Sequence, residues 1–212
     1  MPNVPTRLKQ FATEKTMGKA QRVNEADLSL FPTCSFDLET TGLAADFGYI
    51  LCGSVKPFGR PTKTFRIDDY KPYKTDGSDD SVLVADIVKE LLKYSIVIGY
   101  NTQRFDVPFL VSRMMLHEMD IRPLSTIKHL DLIWSVRYRM RLRGASLAIA
   151  REHLGTPDEK TPLTGRLWAQ AAAGSKSALD KICEHNVQDV KVLEQIARRL
   201  VHTIDLKFTL IR

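Results

Sequence analysis

The order of strand-like and helix-like segments is the feature that most restricts how this chain folds. Three apolar, β-prone runs at 33–38, 49–57 and 62–67 are joined by short connections, which predicts an antiparallel meander. Two more predicted strands, 95–99 and 125–130, alternate with helical segments at 81–94 and 106–117, and everything after residue 131 has a helical pattern. This order predicts an α/β fold with a mixed five-stranded central sheet flanked by helices.

Length and composition predict one domain. The 212 residues, 43% of them hydrophobic, are enough for a single substantial core over residues 31–212. Residues 1–30 have mixed charge and little hydrophobic periodicity, which is typical of a partly disordered N-terminal arm. No segment approaches the roughly 18–20 apolar residues of a membrane span, and no apolar signal-peptide centre is present, so we expect a cytoplasmic protein without membrane contact.

The cysteines and the net charge indicate which metal ions and macromolecules the chain is suited to bind. Cys34, Cys52 and Cys183 form no CxxC pair, which favours buried, reduced thiols over disulfides or zinc. The net charge of +6 favours a polyanionic partner.

An arginine-rich segment, 134–143, carries four arginines and no acid. If the segment is helical, Arg137 and Arg141 share one face and Arg139 and Arg143 another. Two interpretations stay open. The cations either complement the dipole at a solvated helix end before Gly144, or they contact phosphates.

The first of three acid-bearing segments lies on the first predicted strand. Asp37 and Glu39 are two residues apart, so their side chains share one face while Phe36 and Leu38 point into the core. Carboxylates at this spacing suit a hard divalent cation, although isolated acids at a strand end usually serve as caps or turn residues. Gly42 suits a positive φ or the close approach of a substrate backbone.

The other two segments lie on predicted helices. Asp106 begins a helix directly after the fourth strand, where α/β proteins tend to bind ligands, or it simply caps that helix. His185 and Asp189 are four residues apart and share a helix face. A histidine there suits the acceptance of a proton from water, and the alternative is a surface histidine paired with Asp189 or Glu184.

Residues 36–43 (FDLETTGL), 99–106 (GYNTQRFD) and 182–190 (ICEHNVQDV) resemble, in order and spacing, the three motifs of the DEDD exonucleases. This is the family of DnaQ-type proofreading exonucleases, and the resemblance extends over roughly residues 33–200, nearest to stand-alone relatives of the proofreading domain of family-B polymerases. It implies a ribonuclease H-like fold and 3′–5′ exonuclease activity on single-stranded nucleic acid, with DNA favoured over RNA, in DNA repair or proofreading. It also implies two divalent cations, Mg²⁺ or Mn²⁺, bound by four acids. These metal ligands are Asp37, Glu39, Asp106 and Asp189.

The same resemblance implies the remaining site residues. His185 becomes the general base, although the family usually has a His five residues before the last Asp or a Tyr four before it, and this chain has His in the Tyr position. The implied substrate-binding residues are Thr40, Gly42, Leu43, Asn101 and Phe105. Two alternatives remain: a catalytically inactive nucleic-acid-binding module of the same fold, and an endonuclease or junction resolvase. We assign Asp131 to helix capping and Trp134 to core packing or base stacking, and we give Trp168 no role.

Overall fold

The computed structural model describes Leu28, residues 30–156 and 163–201, and the backbone of Thr209–Leu210. The predicted arm, residues 1–30, therefore lies outside the described residues except for two leucines, of which Leu28 is fully buried. The strands are β1 (Thr33–Thr40), β2 (Ile50–Pro57), β3 (Lys63–Arg66), β4 (Ile96–Gly99), β5 (Lys128–Asp131) and β6 (Thr209–Leu210). The helices are α1 (Lys71–Thr75), α2 (Ser81–Leu91), α3 (Asp106–Leu116), α4 (Leu132–Arg139), α5 (Leu147–His153), α6 (Gly165–Ala172) and α7 (Lys176–Val201), with 3₁₀ turns at Ile67–Asp69 and Arg122–Thr126.

The strands form one mixed sheet in the order β3-β2-β1-β4-β5-β6. Strand β2 is antiparallel to both β1 and β3, which confirms the predicted meander. Strands β4 and β5 run parallel to β1, and all five predicted strands are present. The two-residue strand β6 pairs antiparallel with β5, so the prediction that the chain is helical throughout after residue 131 is wrong at its end.

The arginine-rich segment is not one continuous helix, contrary to the prediction for 134–143. Helix α4 ends at Arg139, and Met140 is extended with φ −120° and ψ 143°. Met140 and Leu142 pack against the core while Arg141 and Arg143 are exposed, an alternation that extended backbone satisfies and a helix does not. Arg141 and Arg143 therefore do not share helix faces with the arginines before them.

Two apolar clusters hold the helices on the sheet. The first contains Phe36 and Leu38 of β1 together with residues of α2, α3 and the first half of α7, among them Ile87 and Ile182. The second contains residues of β4, β5, α4, α5 and the second half of α7. Helix α7 thus joins both clusters, which fixes its position across the sheet.

Two further features of the fold concern the cysteines and the lengths of the helices. Cys34, Cys52 and Cys183 are buried and free. No helix within the described ranges combines the length and the apolar character needed to cross a bilayer.

Candidate active site

The site is built at the edge of the sheet where the parallel strands end. Ser35 pairs with Ile98, and Gly99 pairs with Asp131, so β1, β4 and β5 present their carboxyl ends together. Loops and helix starts at such an edge lie close to one another. All three acid-bearing segments of the sequence reach this edge, the last of them through α7, which packs on β1 and β2.

Asp37 and Glu39 lie near the end of β1. Phe36 and Leu38 are 1% and 4% exposed in the core, whereas Asp37, on the opposite face, is half-buried. The register of β1 against β2 shifts between Glu39 and Thr40. The extra residue at this shift is Leu51 of β2, and β1 itself ends at Thr40, where the loop 41–49 begins.

Asp106 is the first residue of α3 and is 3% exposed. Its Oδ1 accepts a hydrogen bond of 2.9 Å from the backbone N–H of Leu38, the strand residue between Asp37 and Glu39. Burial raises the pKa of Asp106 to about 7, and the charge of Asp131 adds to the shift. Simple helix capping does not account for this carboxylate, because one of the amides that it accepts from, that of Leu38, belongs to β1.

Helix α7 contributes three side chains. His185 Nε2 lies 3.6 Å from Asp189 Oδ2, and both side chains are mostly buried, at 11% and 15% exposure. The alternative of a histidine on the helix surface is therefore wrong about the exposure of His185, because this side chain is mostly buried. The pairing with Asp189 that the same alternative predicted is present. Between them, the fully buried Asn186 donates from Nδ2 to Asp37 Oδ2 at 2.7 Å.

The four predicted acids share one electrostatic environment. The pKa of Asp37 is well above its usual range, first because of burial and then because of the charges of Asp106, Glu39 and Asp189. The hydrogen bond from Asn186 opposes this shift. Nevertheless, in the described part of the chain no three His, Cys, Asp or Glu side chains are arranged as a metal-binding cluster, and metal ligation stays a prediction.

Asp131 organises the loop that precedes Asp106. Its side chain caps α4, as predicted, and also accepts hydrogen bonds from the amides of Asn101 (2.7 Å) and Gln103 (3.0 Å). Asn101 adopts the left-handed conformation, with φ 64°. A Cβ at Gly99 would lie 2.1 Å from Thr102 Oγ1, so only glycine lets the loop fold this tightly over the end of β4.

A groove of about 260 Å³ runs beside Glu39. Its lining residues are Leu38, Glu39, Thr40, Thr41, Gly42, Leu43, Phe105 and Trp168. Four of the five predicted substrate-binding residues line it, and the fifth, Asn101, does not. Gly42 does not adopt a positive φ, but no atom lies within 4 Å of its Cβ position, which leaves room for the close approach of a ligand.

A buried ion pair braces the loop that forms one wall of this groove. Arg113 on α3 donates from Nε and Nη2 to the carboxylate of Asp80, at 2.8–3.1 Å, and from Nη1 to the carbonyl of Ala45 in the loop. Asp80 Oδ2 also accepts from the amide of Ile50, where the loop ends, and Asp80 Oδ1 lies 2.6 Å from His117 Nε2. The pair therefore fixes the loop against α3.

Several of these residues were not predicted. Asn186 had a usable signal, because it stands three residues before Asp189 and so lies near it on the same helix face. Trp168 was noted in the sequence but given no role, because its place depends on α6 packing beside the loop, where the Tyr49 hydroxyl donates to the carbonyl of Ala172 at 3.1 Å. The partners of Asp80 are 30, 33 and 37 residues away in sequence, which hides that network from local patterns.

Comparison with known proteins agrees with this architecture. Residues 34–201 match the model of the RNase_H superfamily, and the chain belongs to that superfamily. This confirms the ribonuclease H-like fold and gives the chain a nuclease-type scaffold. No curated protein sequence matches the chain significantly.

A solved structure supports the same fold. The family B DNA polymerase from the hyperthermophilic archaeon Pyrobaculum calidifontis is similar, with a TM-score of 0.66 and 16% identity over 81% of this chain. The match covers 24% of that polymerase, so the chain spans about a quarter of its length. At this identity the likeness establishes the fold alone.

Proposed function

We propose that the chain is a metal-dependent 3′–5′ exonuclease of the DEDD type that hydrolyses phosphodiester bonds at the 3′ end of single-stranded nucleic acid. The observation that carries the proposal is the electrostatic coupling of Asp37 to Glu39, Asp106 and Asp189 at one sheet edge, beside a groove. Buried acids that lie close to other acids are typical of functional sites, because their mutual repulsion destabilises the fold when no cation is bound.

The donor set fits divalent cations. The four acids offer only hard carboxylate oxygens, which Mg²⁺ and Mn²⁺ prefer. A bound cation would relieve the repulsion that adds to the effect of burial on the pKa of Asp37. Asp37, Glu39, Asp106 and Asp189 would hold the ions. Two bound cations supply the positive charge that stabilises the attacking and the leaving oxygen in phosphodiester hydrolysis.

The protein groups around the acids complete the chemistry. His185, whose Nε2 lies 3.6 Å from Asp189 Oδ2, would accept the proton of the attacking water. Asn186 fixes the orientation of the Asp37 carboxylate through its hydrogen bond to Oδ2. Because Asn186 is fully buried, this orientation is kept before substrate arrives.

The groove receives the terminal nucleotide. Thr40, Gly42 and Leu43 form one wall, and Phe105 and Trp168 supply apolar rings for the base. Asn101, held in its left-handed conformation outside the groove lining, orients the strand as it enters. Single-stranded DNA is the favoured substrate.

The proposal is tested with a 5′-labelled single-stranded oligonucleotide and Mg²⁺ or Mn²⁺. A ladder of products shortened from the 3′ end is the expected result. Tight binding without cleavage would instead identify an inactive binding module. Cleavage of a circular single strand, which has no end, would identify an endonuclease.

The role of His185 gives a separate prediction. We expect His185→Ala to lower the rate of hydrolysis by about 10²- to 10⁴-fold, because a general base contributes on that scale. His153→Ala, which changes an exposed histidine on α5, is the matched control and should keep the wild-type rate. A near-normal rate of hydrolysis by His185→Ala in single-turnover assays would show that this residue does not act in the proton-transfer step.

A further inference from the structure

A stack of aromatic and arginine side chains covers the exposed side of α4. The Trp134 and Tyr138 rings are parallel, with centroids 5.8 Å apart and planes 8° apart. The guanidinium groups of Arg104 and Arg137 lie 5.0 and 5.4 Å from the centre of the Trp134 ring. We call these four residues the stacking platform, and its outermost ring, Tyr138, is 73% exposed.

The Trp134 ring of the stacking platform is held in place by the fold. Trp134 packs against the second core cluster, and its Nε1 donates to Gln103 Oε1 at 2.7 Å. The Gln103 amide donates in turn to Asp131. An aromatic surface whose polar group is already bonded within the fold loses little conformational freedom when it binds a ligand.

The platform is continuous with the proposed active site. Arg104 is the residue before Phe105, which lines the groove, and Phe105 is followed by Asp106. One short loop therefore carries a platform residue, a groove residue and a proposed metal ligand in succession. This loop therefore links the groove to the surface that carries the platform.

The charged side chains in this part of the sequence are all basic. Residues 132–151 contain five arginines and no acid. Arg137, Arg139 and Arg141 are exposed, and within the described residues none of these three forms an ion pair with a carboxylate. Because Arg141 lies beyond the end of α4, stabilisation of the helix dipole does not explain it.

We propose that the stacking platform binds the single strand upstream of the 3′ end that is hydrolysed. A base stacks on the open face of Tyr138, and Arg137 contacts a phosphate, with Arg104 and Arg141 extending the positive surface on either side. Parallel rings with guanidinium groups beside them suit single-stranded nucleic acid, since every base has a face to stack and every nucleotide a phosphate. The proposal rests on the exonuclease assignment for the direction of the strand.

The stacking contribution is tested by fluorescence anisotropy with a labelled 20-nucleotide single strand in EDTA, where no hydrolysis is needed. Tyr138→Leu should weaken binding by about 5- to 150-fold, the effect of losing one stacked base. Tyr138→Phe should bind like the wild type because it keeps the ring. Tyr138→Leu should also leave the salt dependence unchanged, since no phosphate contact is lost.

The phosphate contact is tested by the salt dependence of the same binding. Arg137→Gln should reduce the slope of log K against log salt by about 0.7, the value for one phosphate of a single strand. The control is Arg122→Gln. Arg122 is exposed and precedes the start of β5, whereas α4 follows the end of β5, so this substitution should leave affinity and slope unchanged.

The outcomes separate the platform from the exonuclease. If Tyr138→Leu and Arg137→Gln both bind like the wild type, the platform proposal is overturned. If the wild type cleaves no substrate but these variants lose affinity as described, the platform stands and the exonuclease assignment fails.

Discussion

Replacing Asp37 and Asp189 together by asparagine is expected to abolish hydrolysis that depends on Mg²⁺ or Mn²⁺ and to remove the stabilisation of the fold by these ions. In the wild type, Mg²⁺ at about 100 times its dissociation constant adds about 2.7 kcal/mol to the free energy of unfolding. For a chain of this size that corresponds to a rise in Tm of roughly 5–10 °C. The double variant has lost two of the four proposed ligands and should show no such rise.

Without metal, we expect the double variant to be more stable than the wild type. Folding raises the pKa of Asp37 and Asp106, the latter to about 7. Each acid then binds more protons folded than unfolded between about pH 4 and its raised pKa, so the linked stabilisation is fully present below about pH 4 and is lost as pH rises through the raised pKa of each acid. At pH 8 in EDTA the wild type holds repelling carboxylates, and the double variant should unfold at a higher temperature.

Thermal unfolding at pH 8, with and without Mg²⁺, measures both effects. The matched control is Asp46→Asn with Glu184→Gln, which makes the same change in charge at exposed positions on the β1–β2 loop and on α7. This control should keep both the activity and the Mg²⁺ shift. Equal shifts in the wild type and in the Asp37, Asp189 variant would show that these acids share no cation.

The sequence predicted those features that depend on local periodicity. The alternation around Asp37 and Glu39 predicted a strand with its acids on one face, and the four-residue spacing of His185 and Asp189 predicted a shared helix face. The mixed sheet then brings these elements to one edge, because β1, β4 and β5 are parallel.

Features that depend on contacts distant in sequence were not predictable. Gly42 was expected to suit a positive φ or the close approach of a substrate backbone, and its φ is not positive. Asn101 does adopt the left-handed conformation, and its backbone N–H donates a hydrogen bond to Asp131 Oδ1. The end of α4 at Arg139 likewise follows from the burial of Met140 and Leu142 against the core. Both outcomes are set by residues from other elements, and a single-sequence pattern contains no information about them.

The second large effect is expected at the buried ion pair that braces the groove. Replacing Arg113 by methionine keeps the apolar stem but leaves Asp80, whose side chain is fully buried, without its main cationic partner. A buried charge without compensation costs about 3–5 kcal/mol, so we expect a loss of that size in the free energy of unfolding. Urea denaturation, followed by circular dichroism, measures this loss.

A second substitution distinguishes the effect of the unpaired Asp80 charge from the effect of the lost Arg113 contacts. Asp80→Asn in the Arg113→Met background removes the charge but keeps an oxygen for the Ile50 amide, so it should recover part of the lost stability. Arg122→Met is the control, because Arg122 also donates from two nitrogens to one carboxylate, that of Asp120, but its side chain is 87% exposed. Exposed pairs contribute about 0–1 kcal/mol, and this variant should be nearly neutral. If the double variant is no more stable than Arg113→Met alone, the loss comes from the missing guanidinium contacts, such as that to Ala45, and not from the charge of Asp80.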